Sequence, residues 1–550
     1  MLQTNHMGAD RLFRTWVACG LTDVVISPGS RNAPLVIAAA QFPEIRIITA
    51  LDERSAAYMA LGLALQTRRP AVVVSTSGTA AVNHGPALAE AYYQGVPLIS
   101  VTADRPLASH ATGPGQTVKQ SHLFAMHTVH SAEINETEVG VPEIDEAART
   151  AWQKAKIGPV HLNVPFDEPL YAQGEVEPLP ALAASEEANA PAGMPEALLD
   201  FLCAHDAKVL LHVGAATFPQ IPADVMERLV GRCGVIADRF GCIQSPAESS
   251  TARWMAGMNE QAAATFKPDV ILTTGLPPMD KKFRSLLTEW QVPHWHVGLD
   301  QHAWDMFGTR SGTWQISAVE GLWELAEAMP EFNAYAANWE VRKLRLEQAN
   351  AQLESKDWVD YRVYQKVAEC LQSASGRIHF ANSTSARYAQ WFEWGGNVLH
   401  ANRGVAGIDG CTSTAVGDAL RNPDVPVFLM SGDAAWLYDA NAWHVHPRPA
   451  NLKVVVINNG GGNIFRWLDG PQATGLLKSH FEAGFAESVA GSAQQAGLRY
   501  FLASDEGSLE TALKDWYNND GPSLLEIKTP GEASAAYILN RIQLLGKHVG

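Results

Sequence analysis

The 550-residue chain is poor in cysteine, in positive charge and in long apolar runs. Its six cysteines (Cys19, Cys203, Cys233, Cys242, Cys370 and Cys411) include no CxxC pair. That scatter excludes a disulfide-stapled scaffold and reads as reduced, structural thiols. No apolar stretch approaches the ~18 residues that a spanning helix needs. The opening MLQTNHMGADRLFRTW has no apolar core of the secretory-signal type. Lys and Arg total 41 against 58 Asp and Glu, a net charge of −17. Without a basic block, such a chain is a poor surface for nucleic acid or anionic lipid. The expectation is a cytoplasmic protein with neither nucleic-acid nor membrane partners.

What is present is core-forming material. The chain is 47% hydrophobic and 18% charged, with 44 Gly and 31 Pro spread along it. At roughly 100–200 residues per domain this suits about three or four domains. DVVISPG, IRIITAL, AVVVSTSG, PLISVTAD and PVHLNVP read as buried strands, separated by helical segments such as NAPLVIAAAQF and ERSAAYMALGLALQ. Continuous apolar strands alternating with helices imply a parallel sheet covered on both faces. Residues 172–196 are rich in Ala, Pro and Glu and read as a linker. The pattern resumes with KVLLHVGA, GVIADRF, DVILTTG and PHWHVGL. A charged helical stretch, NWEVRKLRLEQANAQLESKDW, then leads to a third block: RIHFAN, NVLHAN, VPVFLMSGD, LKVVVINN and SLLEIKT. The predicted class is α/β, with three doubly wound parallel-sheet domains over residues 1–171, 197–340 and 355–550.

The segment from Val425 to Phe465 is the most informative. A buried strand, VPVFLM, ends in Ser431-Gly432-Asp433. A helical stretch, AAWLYDANAWHVH, leads to a second strand, LKVVVI, ending in Asn458-Asn459-Gly460-Gly461-Gly462. Ligands of open parallel sheets sit beyond the carboxyl ends of the strands. A carboxylate from Asp433 and an amide oxygen from Asn459, both placed there, suit a hard cation such as Mg²⁺. The glycines allow close approach of backbone to a phosphate or metal. Read singly, GD is a tight turn and NNGGG a loop; on two strand ends together they point to a site.

Gly432-Asp433 followed by Asn458-Asn459 resembles the signature of the thiamine diphosphate enzymes. The resemblance implies thiamine diphosphate as cofactor and Mg²⁺, with Mn²⁺ as a substitute, held by Asp433, Asn459 and the Gly461 carbonyl. It implies further cofactor contacts from Pro28, Ser383, Gly432 and Ala434, an N-terminal aminopyrimidine-binding domain, and a C-terminal diphosphate-binding domain. Two departures stand out. Ala434 replaces the usual Gly, and Ala435 stands where many members carry a hydroxyl, so one diphosphate contact is expected to be missing. The family also needs a carboxylic acid at a strand-to-helix junction of its first domain. By resemblance this is Glu53 in Asp52-Glu53-Arg54; read alone, Glu53 only complements a helix dipole. Ile408 in GVAGIDG resembles the aliphatic residue that keeps the cofactor bent.

SPGSRNAPL, TADRP, GPGQTVKQ and NRGVAGIDG resemble one branch of that family, the synthases of menaquinone biosynthesis. The branch implies decarboxylation of 2-oxoglutarate and addition of the resulting carbanion to isochorismate. It assigns Ser30, Arg31, Arg105 and Gln116 to isochorismate, and Ser383, Arg387 and Arg403 to the succinyl carboxylate. Ile464 and Phe465 wall the site, and a middle-domain lysine comes from PPMDKKF, Lys281 by spacing with Lys282 as the alternative. Arginine binds carboxylates bidentately, so four arginines on strand-end loops of an acidic protein suit dianionic substrates. Arg387 lies one turn after Ser383 and can share its face.

Because Glu53 and Asp433 come from different blocks, the resemblance implies at least a homodimer, extending to a homotetramer. Other residues take plainer readings. His444 and His446, two apart on a predicted helix, are poor joint ligands. Trp290, Trp295, Trp391 and Trp394 read as packing. LLHVGAATFPQ lacks GxGxxG, so a dinucleotide is not supported there. Two alternatives stay open: another thiamine enzyme, of the acetohydroxyacid synthase or 2-oxoacid decarboxylase type, and a non-catalytic nucleotide-binding regulator.

Overall fold

A computed structural model describes residues 2–175, 193–203, 207–216, 220–241, 243, 250–299, 304–484 and 487–549. Cys242 and residues 176–192 of the expected linker lie outside them. The strands form three large, mainly parallel sheets, as the alternating pattern requires.

The first sheet has seven strands in the order Val445–His446, Arg46–Ala50, Asp23–Ile26, Ala71–Ser75, Leu98–Asp104, Val160–Pro165 and His130–Glu133. The middle sheet has five: Gly234–Ala237, Val209–Val213, Val270–Thr274, His294–Val297 and Arg310–Trp314. The third has six: Val398–His400, Arg377–Phe380, Val427–Gly432, Leu452–Asn458, Ser523–Lys528 and Arg499–Ala503. In each, the order turns back beside a central strand, which creates a crevice at the carboxyl ends. A small antiparallel pair, Leu2–Thr4 with Gln173–Glu175, ties the start of the chain to the beginning of the expected linker.

Two expectations need correcting. The helix foreseen over AAWLYDANAWHVH stops at Tyr438, where the buried Asp439 bonds to Ser413. A 3₁₀ turn, Ala440–Trp443, follows, and then Val445–His446 pairs antiparallel with Arg46–Ala50. His446 is therefore an exposed strand residue rather than a helical one. Four strands were not foreseen in the large sheets or passed for loop: His130–Glu133, Arg310–Trp314, Arg499–Ala503 and Val445–His446. The first three are edge strands that are half-buried or exposed along most of their length, so they lack the continuous apolar signature.

One apolar core joins the first and third sheets, with Val25, Ile48, Met59 and Leu63 packed with Val416, Leu429, Trp436 and Val454. A second joins the middle and third sheets through Leu210, Ile236 and Ile271 on one side and Ile378, Phe428 and Val455 on the other. Where the first and third blocks meet, helix Glu53–Thr67 packs on helix Cys411–Arg421 at backbone distance. A Cβ on Gly62 would stand 2.1 Å from the Thr414 carbonyl oxygen, and one on Gly417 2.1 Å from that of Met59. Neither backbone can yield without separating the helices.

Gly417→Ala should therefore destabilise the chain by about 1–3 kcal/mol through overpacking. Gly470→Ala, whose Cβ meets nothing within 4 Å, should stay within about 0.5 kcal/mol. Urea unfolding of both variants checks this; equal stabilities would refute the close-packing account.

Candidate active site

In the third sheet the order reverses between Arg377–Phe380 and Val427–Gly432. The residues that follow four neighbouring strands converge around that crevice. Asp433, 3% exposed, follows Val427–Gly432 and accepts from the Ala434 N–H at 2.9 Å. Burial pushes its carboxyl up to about 6, against hydrogen bonds from the Ala434 and Gly461 amides that favour the ion. The carboxylate thus reaches the Asn458–Gly462 loop. Gly461 adopts φ +120, and a Cβ there would strike the Glu482 carbonyl at 2.2 Å, so only glycine fits. Cβ atoms on Gly432 and Gly460 would stand in open space. Asn459 donates its amide to Asp360 at 2.8 Å. A carboxylate, an amide oxygen and glycines that leave room form a donor set fit for a hard cation and a diphosphate. Ile408 packs with Ala381, Cys411 and Ala435, beside the short helix that Asp433 opens.

The same crevice holds two arginines. Arg387 donates to the Ser383 carbonyl one turn back at 2.9 Å, and Ser383 itself has φ +73, unusual for a residue with a side chain. Arg403 donates to Asn382 Oδ1 at 2.7 Å, while the Asn382 amide holds the carbonyls of Asn402 and Gly407. Burial lowers both guanidinium values, and Arg387 additionally feels the charge of Arg403. Glu90, buried in the first block, accepts from the Gly404 and Val405 amides at 2.6 and 2.8 Å and so fixes the Arg403 loop. Ile464 and Phe465 lie half-buried in the 3₁₀ turn Asn463–Trp467 beyond the glycine loop.

The first sheet reverses between Asp23–Ile26 and Ala71–Ser75. Pro28 and Ser30 are exposed at that end, and a Cβ on Gly29 would strike Thr76. Arg31 is buried, donating to the Phe166 carbonyl at 3.0 Å and standing 3.4 Å from Glu168. Arg105 donates to the Gly115 carbonyl at 2.8 Å, and Gln116 is exposed at φ +57. Of the four arginines, Arg387 and Arg403 of the third block lie close enough for Arg387 to feel the charge of Arg403. Lys281 and Lys282 are exposed at the start of helix Lys281–Trp290, capped by Asp280, whose charge reaches Arg387. Of the two, Lys282 is the lysine whose charge Asp280 feels.

Glu53 opens helix Glu53–Thr67, and the Asp52 side chain caps that helix through the Arg54 and Ser55 amides. Burial raises the Glu53 carboxyl above its ordinary value, and the Asp52 charge adds to the rise. Among the described residues, no hydrogen bond or ion pair joins Glu53 to Asp433, Asn459 or Gly461. Its junction touches the third block elsewhere: Arg54 donates to the Tyr438 carbonyl at 3.0 Å, and Asn441 donates to Asp52 at 2.8 Å. Sequence reasoning missed Asp360, Asn382 and Glu90, since each acts across the fold on residues far away in the chain.

Two strand-end crevices, one with an acidic helix start and one with a carboxylate-and-glycine loop, are the arrangement by which thiamine enzymes divide their cofactor between two domains. Residues 6–124 match the thiamine pyrophosphate enzyme N-terminal TPP binding domain, and residues 381–527 the C-terminal TPP binding domain. Within that class the chain belongs to the 2-succinyl-5-enolpyruvyl-6-hydroxy-3-cyclohexene-1-carboxylate synthase family. It is 34% identical over 529 residues to the synthase of Flavobacterium johnsoniae, covering 93% of this chain and 94% of that protein. It is also 34% identical over 538 residues to that of Desulfotalea psychrophila, covering 93% and 96%. Identity to the Bacteroides thetaiotaomicron synthase is 31% over 533 residues, 93% of each chain. No helix among the described residues is long and apolar enough to cross a membrane.

Asp439, beside the Glu53 junction, carries a testable charge. It is fully buried, accepts from the Ser413 amide and hydroxyl at 2.6 and 2.7 Å, and is pushed up to about 7 by burial. Its folded value lies above its unfolded one. The buried proton is therefore favourable at low pH, and stability is lost as pH rises from about 4 to 7. Relative to Asp439→Asn, the wild type should lose up to about 1.4 kcal/mol per pH unit across that window. Urea unfolding at several pH values measures the difference, and a pH-independent difference would contradict the assignment.

Proposed function

We propose that the chain is a transferase that uses thiamine diphosphate and Mg²⁺, with Mn²⁺ as a substitute, to decarboxylate 2-oxoglutarate. The remaining four-carbon unit is added to isochorismate, releasing CO₂ and giving the compound for which the relatives are named. The observation that carries this reading is the half-buried pair Arg387 and Arg403, which follow the two strands next to the one that Asp433 ends and feel each other's charge. A half-buried cationic pair with neutral hydrogen-bond partners, the Ser383 carbonyl and Asn382, suits the distal carboxylate of 2-oxoglutarate, which pyruvate lacks.

When bound, thiamine diphosphate supplies the carbon nucleophile for the 2-oxo group and the sink for the electrons freed as CO₂ leaves. The chain's own residues do the rest. Asp433, Asn459 and the Gly461 carbonyl offer oxygen ligands to Mg²⁺, while Gly432 and Ala434 leave their backbone free for the diphosphate. Glu53, with its raised carboxyl value, holds a proton toward an aminopyrimidine nitrogen. Ile408 props the cofactor, and Pro28 and Ser383 line its ends. Ser30, Arg31, Arg105 and Gln116 bind isochorismate, with Lys281 or Lys282 closing the middle-domain side and Ile464 and Phe465 walling out water. Because Glu53 and the Asp433 loop come from different blocks, which in the resembled family belong to different subunits, a second copy completes the site. The working unit is a homodimer at least, extending to a homotetramer, in the cytoplasm.

The direct test is CO₂ release from 2-oxoglutarate with thiamine diphosphate, Mg²⁺ and isochorismate, each omitted in turn. Turnover that proceeds with pyruvate and ignores isochorismate would favour the acetohydroxyacid synthase or decarboxylase alternative. Removing one partner of a buried charge pair costs about 2–5 kcal/mol. Arg403→Ala should therefore lower kcat/KM for 2-oxoglutarate by roughly 30- to several-thousand-fold while leaving any activity on pyruvate little changed. Equal losses on both oxoacids would mean that Arg403 supports the fold or cofactor instead.

A further inference from the structure

Asp360 opens helix Asp360–Leu371, is 0% exposed, and belongs to none of the motifs. Its side chain gathers four donors from two distant segments. One oxygen accepts from the Thr529 hydroxyl at 2.5 Å and the Ser534 hydroxyl at 3.1 Å. The other accepts from the Asn459 amide at 2.8 Å and the Asn463 amide at 3.3 Å. Asp360's own N–H donates to the Ser534 oxygen at 2.9 Å, so the carboxylate is held from behind. Thr529 follows strand Ser523–Lys528 and donates its N–H to the Asn458 carbonyl at 3.1 Å, which seats the cluster directly beneath the glycine loop.

An asparagine amide has two ends of nearly equal shape and opposite hydrogen-bonding sense: the NH₂ only donates and the oxygen only accepts. Left alone at a loop tip, Asn459 has no reason to turn its oxygen toward the Asp433 side. A carboxylate that accepts and does not donate removes that freedom. We propose that Asp360 is a positioning residue that captures the Asn459 NH₂ and thereby presents the Asn459 oxygen as a cation ligand. The inference rests on the thiamine diphosphate and Mg²⁺ reading above and deepens it, naming what orients one ligand of the metal. Partners that orient a metal ligand typically affect metal affinity by ~10–100-fold.

The test follows Mg²⁺-dependent binding of thiamine diphosphate to the full-length chain by calorimetry, with thermal melting of the cofactor-free protein alongside. Asp360→Leu removes the acceptor and should raise the Mg²⁺ concentration for half-saturation by ~10–100-fold. Asp360→Asn keeps an oxygen for Asn459 and should stay within a few-fold of wild type. Ser534→Ala removes the donor to the far oxygen and the acceptor of the Asp360 N–H, but no bond to Asn459; it should lower the melting temperature and leave the Mg²⁺ requirement unchanged, which separates positioning from general stability. Should Asp360→Leu fail to fold, a swap decides. Asn459→Asp sets two carboxylates face to face and weakens Mg²⁺ binding, and adding Asp360→Asn restores a donor opposite an acceptor and recovers it. A folded Asp360→Leu with the wild-type Mg²⁺ requirement, or a swap without recovery, overturns the proposal. A wild type that binds thiamine diphosphate without Mg²⁺ overturns the metal reading itself, and this inference with it.

Discussion

The contact on which the arrangement depends is the backbone-to-backbone approach of helices Glu53–Thr67 and Cys411–Arg421, made possible by Gly62 and Gly417. It joins the first and third sheets into one apolar core and so fixes both strand-end crevices in one frame. Glu53 is the first residue of one of these helices, and Ile408 lies just before the other. Tyr58 reinforces the junction, donating its hydroxyl to Asp409 at 3.3 Å while its ring covers Gly410. Glu90 adds a polar tie from the first block to the Arg403 loop. Glu53, Ile408 and the Arg403 loop therefore all take their positions in the chain from the same inter-block seam.

A net charge of −17 does not describe the local charge at the third-sheet crevice. The chain is acidic as a whole, whereas Arg387 and Arg403 are two half-buried cations that feel each other's charge. Both are half-buried, and a guanidinium partly withdrawn from water attracts a carboxylate more strongly than a fully solvated one. Their nearest hydrogen-bond partners, a backbone carbonyl and an asparagine, are neutral. Asp238 and Glu90 lie close enough to offset the burial of Arg403 without an ion pair to it among the described residues. The net charge of the whole molecule carries little information about this pocket.

Much of the fold was legible in the sequence because its central strands are continuous β-branched runs that end in glycine or a polar residue. The Gly432-Asp433 and Asn458–Gly462 motifs stand out for that reason, and the structure carries them on adjacent strands in parallel register. Edge strands such as Arg499–Ala503 were hidden by their half-exposed, mixed composition. The overlong helix after Asp433 was a period error: an apolar run continues through Trp443, but the buried Asp439 diverts the chain at Tyr438. In the site, the motif residues stood out, while Asp360, Asn382 and Glu90 did not. A lone acid at a helix start looks like a dipole complement, a glutamate inside a helix looks like any helix residue, and an asparagine in the turn after a strand looks like ordinary turn chemistry. Only the fold brings them to Asn459, Arg403 and Gly404.

The central claim is that one site draws Glu53 and the Asp433 loop from two copies of the chain. Subunit mixing tests it most directly. Glu53→Gln and Asp433→Ala chains, each inactive alone in thiamine diphosphate-dependent CO₂ release from 2-oxoglutarate, are unfolded together and refolded as a mixture. Random pairing in a symmetric dimer should regain about one quarter of wild-type activity, since half of the dimers are mixed and each mixed dimer has one intact site. A mixture as inactive as its two components would contradict the shared site.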